Sequence, residues 1–201
     1  MSRLWIVGAS GHGKVISEIA TLNGYDDIVF LDDNENVTEC GGFPVVGKSY
    51  DAAGGDVFIA IGNSSIRKNL VEFYCDRNMP VLIHPQAVIS NSVSIEEGSV
   101  VMAGAVINPG VTIGKSSIIN TSSSVDHDCK LGDYVHLAVG AHLCGTVSIG
   151  DNVWIGAGSV VINNITICPN CFIGAGAVVV KDLYDSGCYI GVPAKLMEDK
   201  L

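Results

Sequence analysis

Between Ile83 and Val179 every sixth residue is aliphatic: Ile83, Ile89, Ile95, Val101, Ile107, Ile113 and onward without a break through Ile167, Ile173 and Val179. The next steps outward, Arg77 and Asp185, end the pattern. Two residues before each aliphatic the chain carries only Val, Ala, Ser or Cys, with Ile165 the exception. A sixfold period held over seventeen positions predicts a parallel β-helix of hexapeptides. Each hexad supplies one short strand and a corner, and three hexads close a triangular coil of about 18 residues. The large aliphatic fills the prism and the small residue fits beside the tight corner. A series of ordinary amphipathic strands would lose phase at its turns.

Upstream the period changes. Leu4-Trp-Ile-Val7 reads as a buried strand, Val15–Leu22 as a helix closed by Asn23-Gly24, and Ile28–Leu31 as a second strand ending in Asp32-Asp33. Val57–Ile61 reads as another strand, Ser64–Arg77 as a helix, and Val81-Leu-Ile83 as the strand leading into the hexads. This alternation predicts a small open α/β domain with a parallel sheet over residues 1–80, followed by the β-helix over 81–201. The segment around Gly191-Val-Pro-Ala-Lys195 is expected to cap the open end of the prism.

Composition narrows the possibilities. Hydrophobic residues make up 48% of the chain and the mean hydropathy is +0.39, yet no apolar run approaches the roughly 18 residues a membrane span needs. The opening MSRLWIVGAS lacks the apolar core of a signal peptide and reads as part of the fold. A net charge of −10 argues against nucleic-acid or anionic-membrane partners. Seven cysteines without scaffold spacing suit a reducing cytoplasm. Cys168-x-x-Cys171 lacks a second pair, and Cys171 falls on an inward position, so no metal is expected.

Two stretches carry candidate chemistry. Gly8-Ala-Ser-Gly-His-Gly-Lys14 lies at the carboxyl end of the first strand and the start of a helix, where parallel sheets bind phosphate. It matches neither a Walker loop, since Val15 replaces the magnesium-holding hydroxyl, nor the dinucleotide fingerprint, since its glycines fall at 8, 11 and 13. The reading is a cradle for a diphosphate or sugar nucleotide, with Asp32 and Asp33 placed to accept hydrogen bonds from ribose or base; a tight turn alone is the bland alternative. In the β-helix, His127 is a corner residue between Asp126 and Asp128, and a neighbouring carboxylate fixes an imidazole's tautomer and raises its basicity. His136 points outward, and adding one coil at a time places Trp154 and Phe172 above it in an exposed column. Such a column implies a covered interface or an apolar groove, here a subunit contact that also receives the pantetheine arm of a cofactor. His127 and His136 are half a coil apart and are expected to meet only across a threefold assembly. His142 reads as a solvated side chain.

Gly8-Ala-Ser-Gly-His-Gly, Phe30-Leu-Asp-Asp33, Ile59-Ala-Ile-Gly-Asn63 with Ile66-Arg67, Asn120-Thr-Ser-Ser, His127-Asp128, His136 with Val139-Gly-Ala, and Gly191-Val-Pro-Ala-Lys occur in this order. In these segments, which span almost the whole chain, it resembles the NeuD/PglD-like acetyltransferases, which include nucleotide-activated amino-sugar N-acetyltransferases and sialic acid O-acetyltransferases. The resemblance implies a left-handed β-helix behind a Rossmann-like domain, a homotrimer, and acetyl transfer from acetyl-CoA to a sugar amine, often the 4-amino group of a UDP-linked deoxysugar. It implies that His127 is the general base and Asp128 its partner, where the family's best-studied members have Glu. His136 is then near the acetyl thioester, and Ala157 and Ala175 fall where backbone meets the CoA arm. Gly145 is a candidate oxyanion donor. Ser10, Gly11, His12, Asp32, Asp33 and Gly62 match positions that hold the sugar nucleotide. O-acetylation of a sugar such as sialic acid, and sugar-nucleotide binding without catalysis, are the rival readings.

Overall fold

The computed structural model describes residues 3–197 and divides into two compact units between Pro85 and Gln86. The cap expected at the end of the chain is therefore described only as far as residue 197.

The N-terminal unit is an α/β domain. Its sheet contains β1 (Leu4–Val7), β2 (Ile28–Leu31), β3 (Glu39–Cys40), β4 (Phe43–Gly47) and β5 (Asp56–Ile59), in the order β3-β4-β2-β1-β5. β1 pairs in parallel with β2 on one side and β5 on the other, and both ladders are in register from end to end. All four residues of β1 and of β2 are buried, as befits a sheet covered on both faces. The β3–β4 hairpin is absent from the sequence reading; its signal was Gly41-Gly42, both at positive φ, between the two strands. Helix α1 (Gly11–Leu22) starts four residues earlier than expected, inside the glycine segment. Helix α2 (Ser64–Phe73) stops four residues short of Arg77. Tyr74 ends it, because its buried hydroxyl donates to the Ser49 carbonyl at 2.9 Å and the backbone leaves the helical region.

The C-terminal unit is a β-solenoid of the left-handed β-helix type. Each hexad forms a two-residue strand, and each strand pairs in parallel with those 18 residues before and after, such as Ser124–Val125 with Val106–Ile107 and His142–Leu143. Every aliphatic of the sixfold series from Val101 to Val179 is at most 4% exposed, whereas Ile89 and Ile95 in the first coil are half-buried. The small positions are equally sealed, and their hydroxyls form a ladder: Ser117 Oγ accepts from Val135 N–H while Ser99 Oγ accepts from Ser117 N–H. From Ile95 to Ile173 the corner residue three after each aliphatic takes positive φ, whether it is Gly104, Asp128, Asn152 or the β-branched Thr146. At the far end Gly187–Ile190 adds to Cys171–Ile173, Lys195–Leu196 folds back antiparallel on it, and Ala194 N–H donates to the Val178 carbonyl at 2.8 Å.

Candidate active site

In the N-terminal unit the chain passes from β1 to β2 on one side and, after β4, crosses to β5 on the other side of β1, so the carboxyl end of β1 is a topological switch point where open α/β sheets bind ligands. Two glycines make the turn there. A Cβ on Gly13 would collide with the Gly8 carbonyl oxygen and lie 2.9 Å from the Phe30 ring; one on Gly8, at φ 110°, would lie 2.8 Å from the Ala60 carbonyl oxygen. Gly11 faces open space. Ser10 stands at the N-cap, exposed, with no capping bond from its side chain, and the first turn of α1 carries no acid, so its N–H groups and dipole are left for an anion. His12 is half-buried in that turn, and burial together with the Arg67 charge pushes its imidazole down to about 4. It is neutral at physiological pH.

Asp32 braces the turn, and Asp33 holds the segment that follows β4. Asp32 Oδ2 accepts from Ala9 N–H at 2.7 Å and its Oδ1 from Asn34 N–H at 2.9 Å, while Asp33 Oδ1 accepts from Ser49 N–H at 3.0 Å. Gly62 contributes its carbonyl, which with that of Ile61 accepts from the Arg67 guanidinium, each at 2.8 Å. Arg67 is 1% exposed. The sequence reading assigned it no role, although an arginine on the stripe it shares with Leu70 and Val71 was the available sign of a buried charge.

In the solenoid, His127 occupies an exposed corner. Its Nδ1 lies 2.8 Å from Asp128 Oδ2; a carboxylate only accepts, so Nδ1 carries the proton and the Nε2 lone pair is presented outward. The bond to Asp128 and the charge of Asp126 raise the imidazole above its usual value of 6.5. Gly145, one coil later, is where the ring rests: a Cβ there would lie 2.6 Å from Nε2 and 2.7 Å from Cε1. Its N–H donates to no other group among the described residues. Gly110, one coil earlier, plays the same part for Asp128, whose Oδ1 lies 2.5 Å from where its Cβ would be.

His136 heads the aromatic column. It pairs in register with Trp154, and Trp154 with Phe172; the ring centroids are 4.1 Å and 5.8 Å apart. The expectation of a uniformly exposed column is corrected: His136 is 6% exposed, Trp154 half-buried and Phe172 46% exposed. Asn120 Nδ2 lies 3.1 Å from His136 Nε2, a partner with no assigned role in the sequence reading, though one residue beyond the strand beneath His136. Ala157 and Ala175 are exposed at one corner of successive coils. His142 is exposed but not free, since its Nδ1 lies 2.8 Å from Ser124 Oγ. Cys168 and Cys171 are reduced, their sulfurs 3.5 Å apart, and among the described residues no cluster of three or more His, Cys, Asp or Glu could hold a metal.

Comparison with known proteins bears on both units. Residues 3–74 match the PglD N-terminal domain and residues 146–181 the bacterial transferase hexapeptide (six repeats). The acetyltransferase domain of PglB from Neisseria gonorrhoeae FA1090, solved in complex with acetyl coenzyme A, is 41% identical over 98% of this chain and 99% of that one, with a TM-score of 0.93. The chain belongs to the NeuD/PglD-like sugar acetyltransferases. Another similar structure is a variant of GDP-perosamine N-acetyl transferase from Caulobacter crescentus in complex with CoA and GDP-perosamine, 38% identical over 99% of this chain and 98% of that one (TM-score 0.92). UDP-N-acetylbacillosamine N-acetyltransferase of Bacillus subtilis (strain 168) is 38% identical over 115 residues, 51% of this chain; the match spans 52% of that relative. The Caulobacter structure holds CoA beside a GDP-linked sugar, whereas the Bacillus relative is named for a UDP-linked one. Among the described residues, no helix is long and apolar enough to cross a membrane.

Proposed function

We propose that this protein transfers the acetyl group of acetyl-CoA to the amino group of a nucleotide-linked amino-deoxysugar, a UDP-linked 4-amino sugar in the first instance, for a bacterial surface glycan made in the cytoplasm. The carrying observation is the imidazole of His127, tied through Nδ1 to Asp128 and presenting Nε2 above the Gly145 backbone. An amine attacks the thioester carbonyl, a C–N bond forms, and Nε2 takes the ammonium proton. Gly145 N–H is placed to donate to the oxygen that gains charge. When the C–S bond breaks, the imidazolium returns its proton to the leaving sulfur, so no acyl-enzyme is needed. His136 with Trp154, Ala157 and Ala175 forms the groove for the CoA arm. Ser10, Gly11, His12 and the Gly62 loop receive the sugar nucleotide, with Asp32 and Asp33 shaping that site. Three chains assemble so that His127 of one meets the His136 column of the next; sedimentation at three chain masses checks this.

The test is CoA thiol release against UDP-, GDP- and dTDP-linked 4-amino sugars, with sialic acid included. Fast turnover with one amino-sugar nucleotide is expected, with kcat reduced by about 10² to 10⁴ in His127→Ala and the fold intact. The base must be unprotonated, so kcat/KM falls as pH drops through the raised His127 value, placing the acid limb above 6.5. Turnover with sialic acid alone moves the assignment to O-acetylation, and no turnover with any acceptor leaves a binding protein. Wild-type rates in His127→Ala remove it from the mechanism.

A further inference from the structure

His127 has two acidic neighbours, and the chain uses them differently. Asp128 bonds the ring. Asp126 does not: its Oδ1 accepts the backbone N–H of His127 at 2.8 Å. The same oxygen accepts Asn108 Nδ2 at 2.7 Å. Asn108 lies 18 residues earlier, directly beneath Asp126 in the preceding coil, where Ile107 pairs with Val125. On its other side the His127 carbonyl accepts from Thr146 N–H in the following coil at 2.8 Å. The peptide flanking the imidazole is therefore held from the coil below through Asn108 and Asp126, and from the coil above through Thr146.

We propose that Asn108 and Asp126 are positioning residues for acetyl transfer, a brace that fixes the direction of the His127 imidazole while Asp128 fixes its tautomer. The inference rests on the reading of His127 as the base. The solenoid supplies a parallel: Asn120 Oδ1 accepts the N–H of Thr121 at 2.8 Å while its amide reaches His136. In both cases an Asx residue just after an inward aliphatic locks the following peptide. A corner on a stack of two-residue strands has no helix or long ladder to hold it, so a side chain aimed there needs such a brace to keep a productive angle.

The charge of Asp126 has a second effect, on proton affinity. The corner that carries the imidazole holds Asp126 and Asp128, the corner below it Asn108, Pro109 and Gly110, and the corner above it Cys144, Gly145 and Thr146; beyond the two carboxylates the only titratable group among these is the Cys144 thiol. The bond from Asn108 and that from the His127 N–H hold Asp126 below its usual value, so it stays charged wherever His127 titrates.

The test uses the full chain. Asn108→Leu removes the donor at similar size, and kcat measured above the acid limb is expected to fall about tenfold or more, with KM for the acceptor unchanged, because misplacing a base by about 1 Å costs up to 10² in rate. Asp126→Asn keeps an acceptor oxygen and removes the charge, and the His127 imidazole titration, followed by NMR without substrate, is expected to move down by about half a pH unit or more. A kcat for Asn108→Leu within twofold of wild type, or an unmoved titration in Asp126→Asn, overturns the proposal. If His127→Ala still turns over, the base assignment itself fails; the NMR titration needs no turnover, still reports whether the Asp126 charge acts on the imidazole, and separates the two failures.

Discussion

His12 and His127 are the same side chain put to opposite uses. His12 sits in the first turn of a helix, sheltered and beside a buried guanidinium, and its proton affinity is pushed down to about 4. His127 stands in solvent between two carboxylates, and its proton affinity is raised. A neutral imidazole at a helix N-terminus offers a donor or acceptor without changing charge across the physiological range. A raised imidazole on an exposed corner is a stronger base. The glycines around them differ in the same sense. Gly8 and Gly13 make room for backbone, so that strand and helix meet tightly, whereas Gly110 and Gly145 make room for the side chains of Asp128 and His127. One site has a shaped main chain; the other has a main chain cleared for side chains.

This contrast breaks most visibly at the glycines. In Gly145→Ala the new Cβ meets the imidazole of an exposed residue, so the ring is displaced and kcat is expected to fall about 10²-fold with the melting temperature little changed. Gly13→Ala places its Cβ on the Gly8 carbonyl and the Phe30 ring, neither able to retreat cheaply, and a loss of about 1–3 kcal/mol in urea unfolding is expected. If Gly145→Ala lost stability and kept activity, the distinction between the two kinds of glycine would collapse.

A smaller effect sharpens the histidine half. Below pH 6.5 an unfolded His12 takes up a proton that the folded one refuses until about 4, so unfolding becomes easier as pH falls across that window. His12→Gln is expected to flatten this part of the stability curve, read from urea midpoints at each pH. An unchanged slope would mean that His12 is charged in the fold. The smallest effect belongs to Thr146, the β-branched residue held at φ 61° one residue beyond Gly145. Thr146→Asn, a residue that tolerates this conformation, is expected to raise stability by about 0.5–1 kcal/mol, seen as a higher melting temperature.

How much of this was legible in advance follows the geometry of each unit. The hexad period is a translation along the prism axis, so counting by 18 names the neighbours of any residue. That is why the inward aliphatics and the alignment of His136, Trp154 and Phe172 could be written down from the chain. The N-terminal unit has no such ruler. Its helix starting inside the glycine segment, its β3–β4 hairpin and the buried Arg67 depend on contacts between segments whose spacing repeats nowhere.

The sequence by itself determined the solenoid, the number and phase of its strands, and the presence of an acid–histidine–acid corner beside a column of rings. Only the tertiary structure decided which acid does what. Asp126 and Asp128 are equally near His127 along the chain, and the choice between ring and backbone is made by Asn108 below and Gly110 below, which leave one carboxylate bonded at its own rung and the other free to turn toward Nδ1. The same holds for His136, whose outward direction follows from its place beside Leu137 while its burial does not. Direction is set by the period of the backbone; exposure and proton affinity are set by what the rest of the fold brings alongside.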